Sequence, residues 1–302
     1  MNRAEGSAAA AVYTALLGGY EQLNEDQPRD SRLPFICFTD DPRLRSTTWD
    51  IRLVEPAFPL DLVRSQRDIK LRGHPALDEF SETMYIDNSV TLTVPPEDLL
   101  RDWLAEEDLA LVRHSNRVTV LDEFTEVLRQ GLEEPARLFE QLDHYAALAP
   151  DILERRPLWA AVMARRRTPS VDAFFAQWFD HVLRYSRRDQ LSLVYVLEST
   201  SIPFRVIEAK NEESEWHRWP VPLDRLEWAR SAAPTLRRPD LLALGEMRSK
   251  IADLEARMGG RDDASQAALA VVREMQSSTS WKITAPVRWL GRLGPGRGRR
   301  RW

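Results

Sequence analysis

Short apolar runs alternate with helical patterns through the first 200 residues of this 302-residue chain. That alternation is the signature of an α/β domain with a mainly parallel sheet. Ala10 to Leu17 reads as a first strand closed by Gly18-Gly19, and Pro34 to Thr39 as a second, ending in the turn signal Asp40-Asp41-Pro42. Asp50 to Val54 gives a short third strand, Thr83 to Ile86 a fourth and Leu109 to Arg113 a fifth. Between them, Leu60 to Phe80 reads as a helix broken near Gly73 to Pro75, and Pro95-Pro96 starts another. Pro157 to Ala164 reads as a buried strand and Phe204 to Ile207 as a final one.

The helical patterns of the middle are equally plain. Val120, Phe124, Val127 and Leu128 line one face, and Leu138, Leu142 and Tyr145 another. Thr168-Pro169 caps the clearest helix, whose stripe is Val171, Phe174, Phe175, Trp178, Val182 and Leu183, with Asp180 and Arg184 as an i,i+4 pair. Asp189 to Leu197 predicts a further helix.

After about residue 236 the character changes. Leu244, Met247, Ile251, Leu254 and Met258 form two heptads of a coiled-coil seam, from which a homo-oligomer through 241–258 is an expectation. The organisation expected is an α/β domain over 1–236, a helical segment over 237–277 and a basic, Trp-containing tail over 278–302.

A 43% hydrophobic share with ten Trp fills a sizeable core and excludes a disordered chain. The single Cys37 excludes a disulfide framework and a Cys-based zinc site, and fits a reducing, cytoplasmic compartment. No apolar run approaches the roughly 18 residues of a membrane span. Met1 to Tyr20 mimics a signal peptide, but Glu5, Tyr13 and Thr14 interrupt the pattern, and a buried strand is the better reading. The net charge of −5 hides seven Lys or Arg and no acid between Thr279 and Trp302, so the rest carries −12 and is not built to grip nucleic acid. The 38 Arg against 4 Lys suggest a GC-rich bacterial genome.

Five groups of residues carry chemistry, each with a plainer structural explanation. Asp87-Asn88-Ser89 follows the fourth strand, where open α/β sheets bind ligands, but Ser89 stands where a second metal-binding acid is expected. Asp40, with Tyr13 and Thr14, marks strand ends that can hold a nucleoside, the ring stacking on the base; a turn capped by Asp explains the acid equally well. Arg64, Arg67, Lys70 and His74 share one helix face suited to phosphate oxygens, or simply to solvent. His114 and Arg117, followed by Glu123 and Glu126, suit a sugar hydroxyl, a metal or proton transfer, or a structural His. Arg188-Asp189-Gln190 opens a helix, where the acid either caps it or orients or deprotonates an acceptor hydroxyl.

In chain order these groups form a pattern. The runs AVYTALLGGYEQL and FICFTDDP, then Lys70 and His74, MYIDNSVTL, HSNR, Glu123 and Glu126, and Gln141 with Tyr145 resemble the glycosyltransferase-like domain of the plant TOD and MUCI proteins and their bacterial relatives. The likeness is strongest in PLWAAVMARRRTPSVDAFFAQWFDHVLRYSRRDQLSL and covers roughly residues 10 to 210. It implies a GT-A-like α/β/α sandwich that binds a nucleotide-sugar at its strand ends, often with Mn²⁺ or Mg²⁺. On that reading Tyr13, Thr14, Asp40, Arg67, Lys70 and His74 hold the donor and Asp87 approaches the metal and diphosphate. Arg188, Asp189 and Gln190 face the transferred sugar and acceptor, with His114, Arg117 and Glu123 on the acceptor side. Relatives commonly show Asp-Gly where this chain has Asp87-Asn88.

The tail, SWKITAPVRWLGRLGPGRGRRRW, resembles segments that trail bacterial glycan-assembly transferases, and its Trp residues and basic run suit an anionic bilayer surface. The expected function is therefore a nucleotide-sugar-dependent transferase acting on a surface polysaccharide or lipid-linked glycan. Two alternatives stand beside it. A hydrolase of glycolipid or ceramide-like substrates lacks a G-x-S-x-G or H-E-x-x-H to supply its chemistry. A non-catalytic scaffold would explain the missing acid at Ser89 and the seam.

Overall fold

In the computed structural model the chain divides into two compact units, Met1–Arg238 and Pro239–Trp302. The structure describes residues 10–221, 250, 269–274 and 277–278. In the second unit, residues 269–274 are helical. The seam from Leu244 to Met258 and the basic tail lie outside the described residues. Among the described residues no helix is long and apolar enough to cross a membrane.

The first unit is built on a seven-stranded sheet ordered β3-β2-β1-β4-β7-β6-β8. Its strands are β1 (Ala10–Leu16), β2 (Phe35–Thr39), β3 (Asp50–Leu53), β4 (Glu82–Ile86), β6 (Leu109–Arg113), β7 (Leu158–Arg166) and β8 (Arg205–Ile207); the short β5 (Thr91–Leu92) pairs apart from it with β9 (His217–Arg218). All pairings in the large sheet are parallel except those of β7, which runs antiparallel between β4 and β6. Within the stretch that resembles a signal peptide, Ala10–Leu16 forms the strand flanked by β2 and β4, and every residue of β1 is buried. A strand covered on both faces reads as an unbroken apolar run rather than an alternating one. At the β3 edge, Asp50 and Arg52 pair with each other at 2.7 Å, charge that discourages edge-to-edge association.

Alternate residues of the strands feed two cores, which makes the domain a three-layer sandwich. On one face Tyr13, Phe38 and Tyr85 pack with Ile69 and Leu71 of α1 (Leu62–Arg72) and with Phe174, Phe175 and Trp178 of α5 (Pro169–Arg184). On the other, Val12, Cys37, Met84 and Val112 meet Leu99, Leu100 and Trp103 of α2 (Pro96–Trp103). Burial pushes the Cys37 thiol up to about 12, so it is inert. A third cluster joins α3 (Val120–Arg129), α4 (Pro135–Leu148) and α6 (Gln190–Thr200).

The helix expected over Leu60 to Phe80 ends at Arg72, because Gly73 takes φ +80°, and Pro75–Leu77 forms a separate 3-10 turn. The expected Asp180–Arg184 pair does not form: Arg184 reaches Glu140 on α4 at 2.6 Å. A tertiary partner has displaced a local one.

Candidate functional site

The strand order places a ligand crevice before any side chain is considered. From β1 the chain winds outward to β2 and β3, then returns past β1 to β4. The carboxyl ends of β1 and β4 are therefore a topological switch point, where open α/β sheets bind their ligands. Asp87 is the residue after β4, and its backbone N–H donates to Ala161 O at 2.7 Å.

Around Asp87 the fold assembles a network of charges from three elements. Asp189, at the start of α6, places Oδ2 2.7 Å from Lys70 Nζ and Oδ1 3.2 Å from Arg67 Nε. Lys70 also stands 3.3 Å from Asp87 Oδ1 and 4.9 Å from the Tyr85 ring centroid. Tyr85 donates its hydroxyl to Asp87 Oδ1 at 2.7 Å and receives Gln66 Nε2 at 2.7 Å. The side chains of Lys70 and Asp189 are 2% and 4% exposed, whereas that of Asp87 is 32% exposed. One carboxylate is thus a buried anchor and the other is open to a ligand.

Asp189 begins a helix but its side chain makes no capping bond. The cap explanation therefore fails here, and the carboxylate is spent on the two α1 cations. Burial alone would raise its carboxyl, but Arg67, Lys70 and Arg188 together hold it well below the usual carboxylate range. The same burial opposes the Arg67 charge, and Asp189 with Asp87 outweighs it, pushing Arg67 up. Among the described residues the Arg188 guanidinium forms no ion pair; burial and then the neighbouring Arg67 charge pull it down. Tyr85 is raised, by burial and then by Asp87, and stays a proton donor.

The loop that delivers Arg188 and Asp189 is held by groups whose role the sequence alone did not suggest. Glu133 Oε2 accepts Ser186 Oγ at 3.0 Å and Arg187 N at 2.7 Å, and Ser186 Oγ accepts Arg188 N at 3.0 Å. Gln141 Oε1 accepts Ser186 N at 3.3 Å, and Trp178 Nε1 donates to Asp189 O at 2.9 Å. Nothing in the sequence pattern singles out Gln66; Tyr85 sits two residues before Asp87, the spacing that puts both on one face of a strand.

Next to this network lies the second expected group. Gln190 Nε2 approaches Glu123 Oε1 at 3.5 Å, and Glu123 Oε2 lies 3.2 Å from Arg117 Nε and 3.9 Å from His114 Nε2. Burial raises the Glu123 carboxyl despite Arg188 and Arg117. Burial, then Arg117, lowers His114 to about 4, so its ring is neutral. Arg67, Lys70, Asp87, Arg188, Asp189, Gln190, Glu123, Arg117 and His114 therefore form one continuous constellation.

Four expected donor residues stand outside it. Tyr13 is buried in the core with its hydroxyl donating to Lys70 O at 2.7 Å and receiving Arg165 Nη2 at 3.0 Å, so its ring is not open to stack on a base. Thr14 is fully buried and its hydroxyl has no partner in the fold. Asp40 accepts Gly18 N at 2.8 Å and ties the β1 and β2 loops together. Gly18 has φ +80°, and a Cβ there would lie 2.7 Å from Leu62 Cδ1, so the turn requires glycine. His74 lies beyond the end of α1, where Nδ1 accepts Ala76 N at 3.1 Å and the ring packs 4.8 Å from Phe38. Arg64, on the same face, turns instead to the last carbonyls of α5, Val182 O and Tyr185 O.

The residues do not fit a protein-built metal cage. Asp87 Oδ1 already faces an ammonium and a hydroxyl. Asn88 is tied to Glu21, Gln22 and Asn24, and Ser89 Oγ accepts Trp219 Nε1 at 3.1 Å. Among the described residues no three His, Cys, Asp or Glu side chains converge on a cation position.

A family model and a curated relative point to one family. The model of the TOD1/MUCI70 glycosyltransferase-like domain matches residues 43–214. The probable hexosyltransferase MUCI70 of Arabidopsis thaliana is 27% identical over 153 residues, covering 48% of this chain and 26% of that protein. The chain thus spans about a quarter of that relative's length. Among solved structures, core-mannan synthase A (CmsA/Ktr4) from Aspergillus fumigatus in its Mn/GDP form has a TM-score of 0.42 at 12% identity, covering 68% of this chain and 74% of that one. The apo structure of the bifunctional glycosyltransferase WbbM has a TM-score of 0.40 at 12% identity, covering 69% and 40%. These two likenesses are too slight to bear on the site. The family match takes in more than half of the chain, including Lys70, Asp87 and Asp189, and leaves out Tyr13, Thr14 and Asp40. The chain belongs to the TOD1/MUCI70 glycosyltransferase-like domain family.

Proposed function

We propose that this domain transfers a glycosyl group from a nucleoside-diphosphate sugar to an acceptor hydroxyl. The observation that carries the reading is the set of three cations, Arg67, Lys70 and Arg188, gathered around two carboxylates at the sheet's switch point. In the reaction the bond between the anomeric carbon and the diphosphate oxygen breaks, and its electron pair leaves on the diphosphate. The acceptor oxygen bonds to that carbon, and its proton passes to a carboxylate. Cations fixed in place before the substrate arrives stabilise such a leaving group without reorganising.

The two carboxylates take different parts. Asp189 is buried, with one oxygen against Arg67 and the other against Lys70, so it orients those cations. Asp87 is the more open carboxylate and faces the transferred sugar and the acceptor proton. His114, Arg117, Glu123 and Gln190 border the acceptor side.

On this reading the acceptor is a hydroxyl of a bacterial surface polysaccharide or lipid-linked glycan, reached from the cytoplasmic side of a membrane. Support comes from the tail, where seven Lys or Arg without an acid accompany Trp281 and Trp289, a composition suited to an anionic bilayer. The heptad spacing from Leu244 to Met258 supports self-association through 241–258.

The test is turnover of radiolabelled UDP-, GDP-, ADP- and dTDP-sugars with glycan and lipid-linked acceptors. Nucleotide release that depends on an acceptor supports the reading. Release of free sugar or fatty acid from a glycolipid without a nucleotide donor points to a hydrolase instead, and no turnover of any donor leaves the scaffold.

A further inference from the structure

Resting on the donor-site reading above, we infer that the donor diphosphate is held by Arg67 and Arg188, with Lys70 behind them, in place of a divalent cation. The place a metal would take beside Asp87 is already filled by charge of this chain. Lys70 Nζ lies 3.3 Å from Asp87 Oδ1 and 2.7 Å from Asp189 Oδ2. One ammonium thus answers both carboxylates, and its side chain is 2% exposed, so solvent does not weaken the interaction much.

The neighbouring groups that would complete a metal site serve the fold. Ser89, where a second acid would sit, accepts the Trp219 indole N–H. Asn88 fixes the segment from Glu21 to Asn24 through three hydrogen bonds. A carboxylate at 88 would lose the two bonds that Asn88 Nδ2 donates to Glu21 and Gln22 and would set a second negative charge against Glu21.

Of the three cations Arg188 is the least engaged. Lys70 and Arg67 stand at ion-pair distance from Asp189, whereas among the described residues the Arg188 guanidinium has no carboxylate at that distance and meets Asp189 and Glu123 only as neighbouring charges. The guanidinium of a half-buried arginine, set beside another and without a carboxylate in direct contact, is a fork for phosphate oxygens. Its loop is set by Glu133, Ser186 and Gln141, so the backbone that carries the fork is fixed before the ligand binds. A diphosphate bound there gives Arg188 a direct ionic partner.

The experiment is calorimetric titration of the full chain with UDP, GDP, ADP and dTDP, each with Mn²⁺ and with EDTA, for wild type and Arg188→Gln. The inference expects at least one nucleotide to bind with an affinity that EDTA changes less than about threefold. Arg188→Gln then weakens that binding by roughly ten- to a hundredfold, the scale of a lost charge-assisted bond, in Mn²⁺ and EDTA alike. The variant's thermal midpoint moves by no more than a few degrees, because among the described residues Arg188 makes no ion pair at contact distance and Asp189 keeps Arg67 and Lys70. Binding that EDTA abolishes overturns the inference and leaves the donor-site reading standing. Wild-type affinity in Arg188→Gln also overturns it. Absence of binding by every nucleotide in both conditions overturns the donor-site reading, and the inference with it.

Discussion

The carboxyl ends of β1 and β2 and the carboxyl end of β4 lie in one sheet, yet they use polar side chains in opposite ways. At β1 and β2 every candidate is satisfied by the fold or sealed within it: Tyr13 by Lys70 O and Arg165, Asp40 by the Gly18 amide, Thr14 by burial. At β4 the fold gathers Arg67, Lys70, Arg188, Asp87 and Asp189, and among the described residues it leaves one carboxylate open and one guanidinium with no carboxylate at ion-pair distance. The difference teaches that a polar residue at a strand end marks a site only when its charge remains after the scaffold's own bonds are counted.

The contrast is open to substitution. Lys70→Met should have the largest effect, leaving Asp189 and Asp87 against a lost cation; breaking a buried ion pair costs about 3–5 kcal/mol in chemical denaturation. A loss under about 1 kcal/mol would mean that Arg67 alone satisfies Asp189.

His114 gives the next effect, through pH. Its folded value of about 4 lies below the roughly 6.5 of an unfolded His, so the unfolded chain binds the extra proton first. Wild-type stability should therefore fall as pH drops from about 6.5 to about 4, by up to about 3 kcal/mol relative to His114→Asn. Parallel stability curves for the two proteins would show that His114 is not held neutral.

Tyr13→Phe removes a buried hydroxyl that serves both Lys70 O and Arg165, and should cost about 1–3 kcal/mol. Nucleotide affinity should stay within about twofold. A tenfold loss of affinity with unchanged stability would return Tyr13 to the donor site. Asp40→Ala should be the mildest, about 1 kcal/mol from the Gly18 bond, again with affinity intact.

Much of this was readable in the chain, and the failures have a common cause. The strands emerge as apolar runs because β1, β2 and most of β7 are buried throughout. Arg67 and Lys70 fall on one face of a helix by spacing alone, and Arg188-Asp189 opens the next charged segment. What spacing does not convey is which distant partner claims a side chain. Tyr13 meets Arg165 from β7, 152 positions away, and Arg184 prefers Glu140 on α4 to its neighbour Asp180. Lys70 and Asp189 are likewise joined only by the packing of α1 against α5 and the turn into α6.

The most direct measurement is turnover of a nucleotide-sugar by Asp87→Asn beside wild type, with thermal midpoints recorded for both. The amide still accepts the Tyr85 hydroxyl and is partly solvent-exposed, so the fold should survive. If the carboxyl end of β4 is the reacting centre, turnover falls by roughly 10²–10³-fold while the midpoint moves by only a few degrees. Full turnover in Asp87→Asn would contradict the account, because the open carboxylate of the charge network would then have no part in the chemistry.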